Sequence, residues 1–595
     1  MLKNELNPEI TQIDFTDFDR EFGDFLRRFT QDIHPQLKVT GMLAAFELRS
    51  GNPVLDLTRY AGKTFEAEPD DIVTLPPLNE WQELLLKTRI AALPQDDLRT
   101  PLVFTGENTL MLRRYAGYAA NLRQKLAAMR RFNPELQIPE IFDSKLDKIQ
   151  KLAVFTGLNS SLLILSGGPG TGKTTVCGHI IRELLEKNCN MRILFAAPTG
   201  KAQQNLAGQI RDIGKTLPES SPVFQALQRV KGATLHSFIL NPQWRSELAN
   251  CDLFITDECS MISLEMFSKL LDILPASTSL ILAGDRRQLA SIDSGSVFAD
   301  ICSYGKENRL PEKMAEFFND KTGIGIGTCE NGEDFSGYIV ELQKNFRSSQ
   351  APDICRIAEL LRDGSVDNET LTDIIVNTDE ADFKFRTIAE NDLDTALRKR
   401  CGDLKKLPEL CSSGDINQIM QALQIIDRTK FICAVNRDER GTAAINDWIL
   451  RELDIVPQFR GKWRPGTVLL VTANDRNSGL RNGDIGVVTL EKLHSEPEMQ
   501  YGVRFSSCPE KYFLLPDLPE HECGFAISVH RAQGSGYKEV TFLLPGYESK
   551  VLTRELLYTG ITRAAASIEI WGSAPELLFA LSNRAERSSN LFQTT

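Results

Sequence analysis

Residues 161–175 read SLLILSGGPGTGKTT. Four apolar residues in a row, too short for a helix and bounded by glycine, predict a buried strand. The glycines that follow form the pattern GGPGTGKT over residues 167–174, and TTVCGHIIRELLEK continues as an amphipathic helix. Strand, glycine-rich turn and helix in that order make a phosphate-binding loop. Backbone N–H groups of Gly167, Gly168, Pro169's neighbours, Gly170, Thr171 and Gly172 can converge on phosphate because little side chain stands in the way. Lys173 reaches the β- and γ-phosphates, Thr174 offers a hydroxyl to Mg²⁺, and Thr175 opens the helix behind them.

RILFAAP (192–198), CDLFITDE (251–258) and TSLILAGD (278–285) repeat the short apolar run that ends in turn chemistry. Apolar strands spaced by helices predict a parallel sheet covered on both faces, with ligands at the carboxyl ends of its strands. Asp257 stands at such an end, suited to hold Mg²⁺, and the adjacent Glu258 is suited to orient and deprotonate a water. Asp285 and Gln288 follow the next strand, where a glutamine can hydrogen-bond a γ-phosphate or its attacking water. The expected ligands are therefore a nucleoside triphosphate and Mg²⁺.

A second alternation follows residue 341, with FICAVN, GFAISVHR, EVTFLLP and SIEIWG as strands. Within it, RPGTVLLVTANDRNSGLRNGDIGVVTLEKL is punctuated by Pro465-Gly466 and Asn482-Gly483, which predicts a small antiparallel β insert over about 456–522. Residues 1–115 mix helical patterns such as LNEWQELLLKTRIAAL with strand-like pieces, and a charged helical connector is expected over 116–145. The first α/β unit is then 146–340 and the second 341–595.

At 595 residues the chain is too long for one core, and 42% hydrophobic with 25% charged residues is the composition of a globular protein. The first 22 residues are acidic and lack an apolar signal region, and no apolar run has the length of a membrane span, so a cytoplasmic protein with no membrane partner is expected. Twelve scattered cysteines with no C-x-x-C pair, and six single histidines, point to core thiols rather than a metal cluster or a disulfide scaffold. A net charge of −12 argues against coating nucleic acid through bulk electrostatics but leaves room for a local basic groove.

The ordered set GGPGTGKT, APTGKAQQNL, ATLHSF, DECSM, GDRRQLAS, QKNFRSS, SVHRAQGSGY and LYTGITRA resembles the motif series of superfamily 1 helicases. Within them it is similar to the RecD family, the alpha subunits of exodeoxyribonuclease V, over about 146–595. The resemblance implies an α/β chain with two RecA-like P-loop NTPase lobes, an SH3-like β insert in the second lobe and an N-terminal mixed α/β domain. It implies a DNA-dependent ATPase and 5′-to-3′ helicase that acts on single- and double-stranded DNA ends. Its partners would be the beta and gamma subunits of a heterotrimer, with nuclease activity in the beta subunit. A stand-alone RecD-like helicase is the second reading, and a DNA-binding subunit that does not hydrolyse nucleotide is the third.

Residue by residue, Gln150 in DKIQKLAV would read adenine, although by itself it reads as a surface glutamine on a helix. Arg347 and Arg563 match the arginines that reach the γ-phosphate from the second lobe. Gly534 falls in the motif that touches both nucleotide and DNA, and Tyr558 belongs to the same closing surface or is only structural. Phosphate contacts to DNA fall to Thr199, Lys201, Thr234, His236, Asn436, His530 and Ser535, which can bind a strand without reading its sequence. For His236 and His530 a buried, hydrogen-bonded histidine is the equal alternative.

Overall fold

Six parallel strands form the first sheet of the chain, in the order Ile339–Leu342, Leu162–Gly167, Ser279–Gly284, Leu253–Thr256, Ile193–Ala197 and Lys231–Thr234. This computed structural model describes residues 10–592 except 31–33, 97–98, 140–144, 216, 292–294, 331, 333, 347–349, 458–462, 476, 493–497 and 585–590. All six residues of Leu162–Gly167 are buried. The strand is central, and helices cover both faces, so no polar face is needed. Each fully buried leucine there stabilises the sheet by roughly 1.5–3 kcal/mol.

The first four apolar runs identified in the sequence are four of these six strands. The two outer strands carried no comparable signal, since Lys231–Thr234 is half polar. Ile339–Leu342 corrects the expected division after residue 340. The strand runs through 342 and pairs along its length with Leu162–Gly167, so the first sheet extends past that point.

The second sheet is also parallel, in the order Phe383–Thr387, Ala564–Gly572, Tyr537–Leu543, Thr429–Cys433 and Ala526–Ser528. Four of its five strands are the anticipated runs, and Phe383–Thr387 adds an edge. Between Val468 and Cys523 lies a five-stranded antiparallel sheet, ordered Cys508–Leu514, Met499–Phe505, Ile485–Lys492, Val468–Val471, His521–Cys523. It has a small apolar core of its own around Val488, Val503 and Phe505. Inside it Arg504 holds Glu491 through a two-pronged ion pair, at 2.7 Å for the shortest contact.

The N-terminal region packs the helices Asp17–Thr30, Pro35–Arg49 and Leu78–Lys87 with a four-stranded sheet around Trp81, Phe65 and Leu85. Indole Nε1 of Trp81 donates to Thr40 Oγ1 at 3.0 Å, which satisfies the one polar atom of a fully buried side chain. The next helix, Arg113–Ala128, lies against the first lobe. Asn121 donates to Ser268 Oγ at 2.9 Å and to Asp272 at 3.0 Å, and Arg114 pairs with Glu265 at 2.8 Å. The segment expected to be a connector thus begins as a helix fixed to one lobe.

Candidate active site

Because the strands of the first sheet are parallel, the turns that follow them gather along one edge. The phosphate loop, Asp285, Asp257, Thr199 and Thr234 come in that spatial order, which separates the nucleotide candidates from the DNA candidates by strand position. A cavity of about 570 Å³ opens over the phosphate-loop end. Gly168, Pro169, Gly170, Gly172, Lys173, Thr174 and Thr175 line it on one side, with Asp257, Glu258 and Gln288. Gly534, Ser535, Thr562 and Arg563 line it from the second lobe.

Lys173 begins the helix Lys173–Lys187, and its Nζ donates to the Gly167 carbonyl at 2.6 Å. Thr171 Oγ1 donates to the Gly168 carbonyl at 2.8 Å, so the loop is tied to itself at both ends. Asp257 follows the strand Leu253–Thr256, where its Oδ1 accepts the Glu258 amide at 2.8 Å. Burial pushes the Asp257 carboxyl above its ordinary value, and Lys173 opposes that shift. Glu258 sits at φ 53°, a left-handed backbone that is uncommon outside glycine and costly to hold. Burial, then the Asp257 carboxylate, raise its carboxyl, with Arg563 pulling the other way. Hard oxygen donors beside a lysine, in a buried cleft, suit a phosphate-bound Mg²⁺. Such an ion takes few protein ligands, and Thr174 and Asp257, which both line the cleft, are the side chains that could hold it. No group of three or more histidine, cysteine or acidic side chains among the described residues could hold a metal by itself.

Arg563 is 3% exposed and firmly held. Its Nε donates to the Thr559 carbonyl at 3.0 Å, Nη1 to the Ser535 carbonyl at 3.2 Å and Nη2 to Thr562 Oγ1 at 3.3 Å. Two of these partners are backbone carbonyls, which orient the guanidinium at the edge of the cavity. Arg347 lies outside the described residues. Its neighbour Phe346 lines the cavity, 42% exposed, and donates its backbone N–H to the Gly170 carbonyl at 3.0 Å. That places an aromatic face on the phosphate-loop side, a residue the reading of QKNFRSS passed over in favour of the arginine.

Gln150 is not a surface residue. It is 3% exposed, its Oε1 accepts the Asp147 amide at 3.1 Å, and its Nε2 donates to the Thr171 carbonyl at 3.0 Å. It caps the helix Lys148–Asn159 and braces the phosphate loop while lining the cavity.

The DNA candidates divide. Thr199 and Thr234 cap the helices Gly200–Gly214 and Leu235–Leu240 with their side-chain oxygens. His236 is exposed, which removes the buried alternative for that residue, and His530 is half-buried. Asn436 is exposed beyond Thr429–Cys433 and accepts from Thr442 Oγ1 at 3.3 Å. In the second sheet Asn436 and His530 follow their strands, whereas Ser535 and Arg563 precede theirs, so the two pairs lie at opposite ends of the sheet. Ser535, expected on the DNA path, therefore sits with the nucleotide cavity. The Lys201 ammonium lies 5.1 Å from the centroid of the Tyr537 ring, and Lys430 lies 5.5 Å from the same ring. Arg481, from the β insert, bonds the Gly200 carbonyl at 3.3 Å and Gln203 beside it. Nothing in the local sequence around Arg481 signalled that contact.

Comparison with known proteins follows the same order along the chain. The family model described as "RecBCD enzyme subunit RecD, N-terminal domain" matches residues 13–109. An AAA domain matches 150–294, and a UvrD-like helicase C-terminal domain matches 524–568. The RecBCD enzyme subunit RecD of Haemophilus influenzae is 28% identical over 92% of this chain and 91% of its own length. That of Mycolicibacterium smegmatis is 28% identical over 92% of both. The ATP-dependent RecD2 DNA helicase of Deinococcus radiodurans is 24% identical over 94% of this chain and 67% of its own length. The N-terminal match lies in the region of mixed helical and strand-like patterns, and the other two carry the phosphate loop and the motif containing Ser535. Over 92% of its length the chain is thus similar to the RecD subunits of RecBCD enzymes.

Proposed function

We propose that this chain is an ATP-driven 5′-to-3′ DNA helicase and translocase, the RecD subunit of a RecBCD-type helicase–nuclease. It would serve double-strand break repair by homologous recombination and DNA degradation in the cytoplasm. The observation that carries the reading is the single cavity in which Lys173, Glu258 and Gln288 of the first lobe meet Arg563 of the second. An ATPase whose two halves come from separate lobes converts nucleotide state into lobe closure.

Lys173 and the loop amides hold the β- and γ-phosphates. Mg²⁺, when held by Thr174 and Asp257, neutralises phosphate charge. Glu258 takes the proton of the attacking water, and its raised carboxyl suits a base that must work near neutral pH. Gln288 accepts a hydrogen bond from that water, and Arg563 stabilises the charge that develops on the transferred phosphoryl group. Arg347 is proposed as a second arginine. Only the closed state makes both sets of contacts, so ATP favours closure and hydrolysis releases it. Thr199, Lys201, Thr234 and His236 on the first lobe, with Asn436 and His530 on the second, would grip one DNA strand in alternation.

Residues 1–115 are proposed as the domain that docks on the beta and gamma subunits, 116–145 as its connector and the sheet within 456–522 as an SH3-like insert. The match of the RecD N-terminal domain to residues 13–109 favours the subunit over the stand-alone helicase. No helix of the described residues is long and apolar enough to cross a membrane.

Lys173→Gln is expected to abolish DNA-stimulated ATP hydrolysis, and full activity in that variant would overturn the assignment. A tagged chain purified from its native cell should bring down two larger helicase–nuclease subunits. Recovery alone would favour the stand-alone reading. A forked duplex with only a 5′ tail should be unwound, and preference for a 3′ tail would refute the polarity.

A further inference from the structure

Residues 285–289 belong to the first lobe by sequence, yet the second lobe holds them. The Leu289 side chain is buried in the hydrophobic core of the second lobe, together with Leu556, Leu557 and Phe542. Its amide donates to Thr559 Oγ1 at 2.8 Å, and its carbonyl accepts Nε2 of the buried Gln533 at 2.8 Å. At the other end of the segment the Tyr558 hydroxyl donates to Asp285 Oδ2 at 2.9 Å. The same oxygen accepts Gln288 Nε2 at 3.3 Å, while Oδ1 accepts the Arg287 amide at 3.0 Å. Gln288 lines the nucleotide cavity, and its Oε1 is buried without a protein partner.

We propose that Tyr558 is a positioning residue for hydrolysis. Through Asp285 it sets the turn that carries Gln288, so that the Gln288 carbonyl oxygen meets the attacking water only while the lobes are closed. This rests on the ATPase reading of the cavity and assigns a role within it. Three features of the hydroxyl fit the role. It is buried, in a residue 4% exposed, so its hydrogen bond is not in competition with solvent. Burial and the Asp285 carboxylate hold its pKa well above the ordinary value, so it remains a donor at working pH. It also abuts the phosphate loop, since a Cβ on Gly168 would lie 2.8 Å from it. One hydroxyl thus touches the loop that holds phosphate and the turn that holds Gln288. The helix that carries it, Arg554–Ile561, ends two residues before Arg563. Closure places the arginine and the glutamine together because one helix positions both.

The test compares the full chain with Tyr558→Phe, Gln288→Ala and the double variant in DNA-stimulated ATP hydrolysis. Phenylalanine keeps the ring and removes only the donor. Tyr558→Phe is expected to lower kcat by on the order of tenfold to a hundredfold, the cost of a misplaced catalytic group, with KM for ATP nearly unchanged. In the Gln288→Ala background the same substitution is expected to cost nothing further, because residues acting through one another are not additive. Asp285→Asn, of equal volume, should reproduce the loss of kcat. Multiplying losses in the double variant, or an unchanged kcat in Tyr558→Phe, would overturn the proposal. A parent chain without DNA-stimulated hydrolysis would instead overturn the proposed function, and this inference with it.

Discussion

Gly172 and Gln150 fit against each other so closely that a Cβ on Gly172 would lie 2.5 Å from Gln150 Nε2. Gly172 also sits at φ 87°, where an L side chain is strained. Gly172→Ala therefore meets two penalties, and relief of the contact breaks the bond from Gln150 to the Thr171 carbonyl. Backbone strain of this kind costs about 1–2 kcal/mol. The phosphate loop is expected to bind ATP at least tenfold more weakly, a shift of about 1.4 kcal/mol, measured by titration with a fluorescent nucleotide. Affinity equal to the parent would show that Gln150 does not brace the loop.

Arg563→Ala is expected to spare ATP binding and to lower kcat for hydrolysis by on the order of 10³ or more, as loss of a transition-state arginine does. Arg563→Lys keeps the charge but cannot reproduce the fork that reaches both Thr559 and Ser535, so it should recover only part of the rate. Parallel measurement of nucleotide affinity and turnover decides the matter. An equal loss of both would return Arg563 to a structural role.

Lys430 couples pH to stability. The side chain is 1% exposed, Nζ donates to the Gly524 carbonyl at 2.9 Å, and burial lowers its pKa from 10.5 to about 7, with Lys201 adding to the shift. Between about 7 and 10.5 the unfolded chain binds a proton that the folded chain does not, so the folded state gains stability as pH rises through that window. Below about 7 both states are charged, and the cost of burying the ammonium is borne in full. Lys430→Met removes this dependence. Its melting temperature relative to the parent should climb as pH falls from 10 toward 7. A difference that stays constant across that range would contradict the assignment.

Trp81→Ala tests whether residues 1–115 act apart from the motor. Trp81 is the largest fully buried side chain of a core that holds no residue of either parallel sheet. Its truncation should cost about 3–5 kcal/mol of local stability. Co-purification with the two larger subunits is expected to fail while DNA-stimulated ATP hydrolysis by the chain persists. Joint loss of both would mean that the N-terminal region supports the ATP site.

Legibility followed chemistry that is local in the chain. The phosphate loop could be read because its function needs consecutive glycines between a strand and a helix, and the strand itself is all apolar because both its faces are covered. Asp257 and Glu258 stand out as candidates because they follow a strand of the same kind. Ser535 was assigned to DNA because its motif serves two ligands, and only the direction of the strand Tyr537–Leu543 puts it at the nucleotide end of the second sheet. Gln150 looked like an exposed helical glutamine, since its burial depends on a loop 21 positions away. Phe383–Thr387 was missed because an edge strand with alternating charge has no continuous apolar run.

By itself, then, the sequence determined the class of the protein, the two α/β units and the phosphate-loop pattern. Each of these is written in residues that are neighbours along the chain. The tertiary structure alone decided that Arg563 shares a cavity with Lys173, that Leu289 is buried in the opposite lobe, and that Tyr558 bonds Asp285. Those relations join segments hundreds of residues apart, and they exist only because parallel strands bring the turns of one sheet to one edge and the second lobe packs against it.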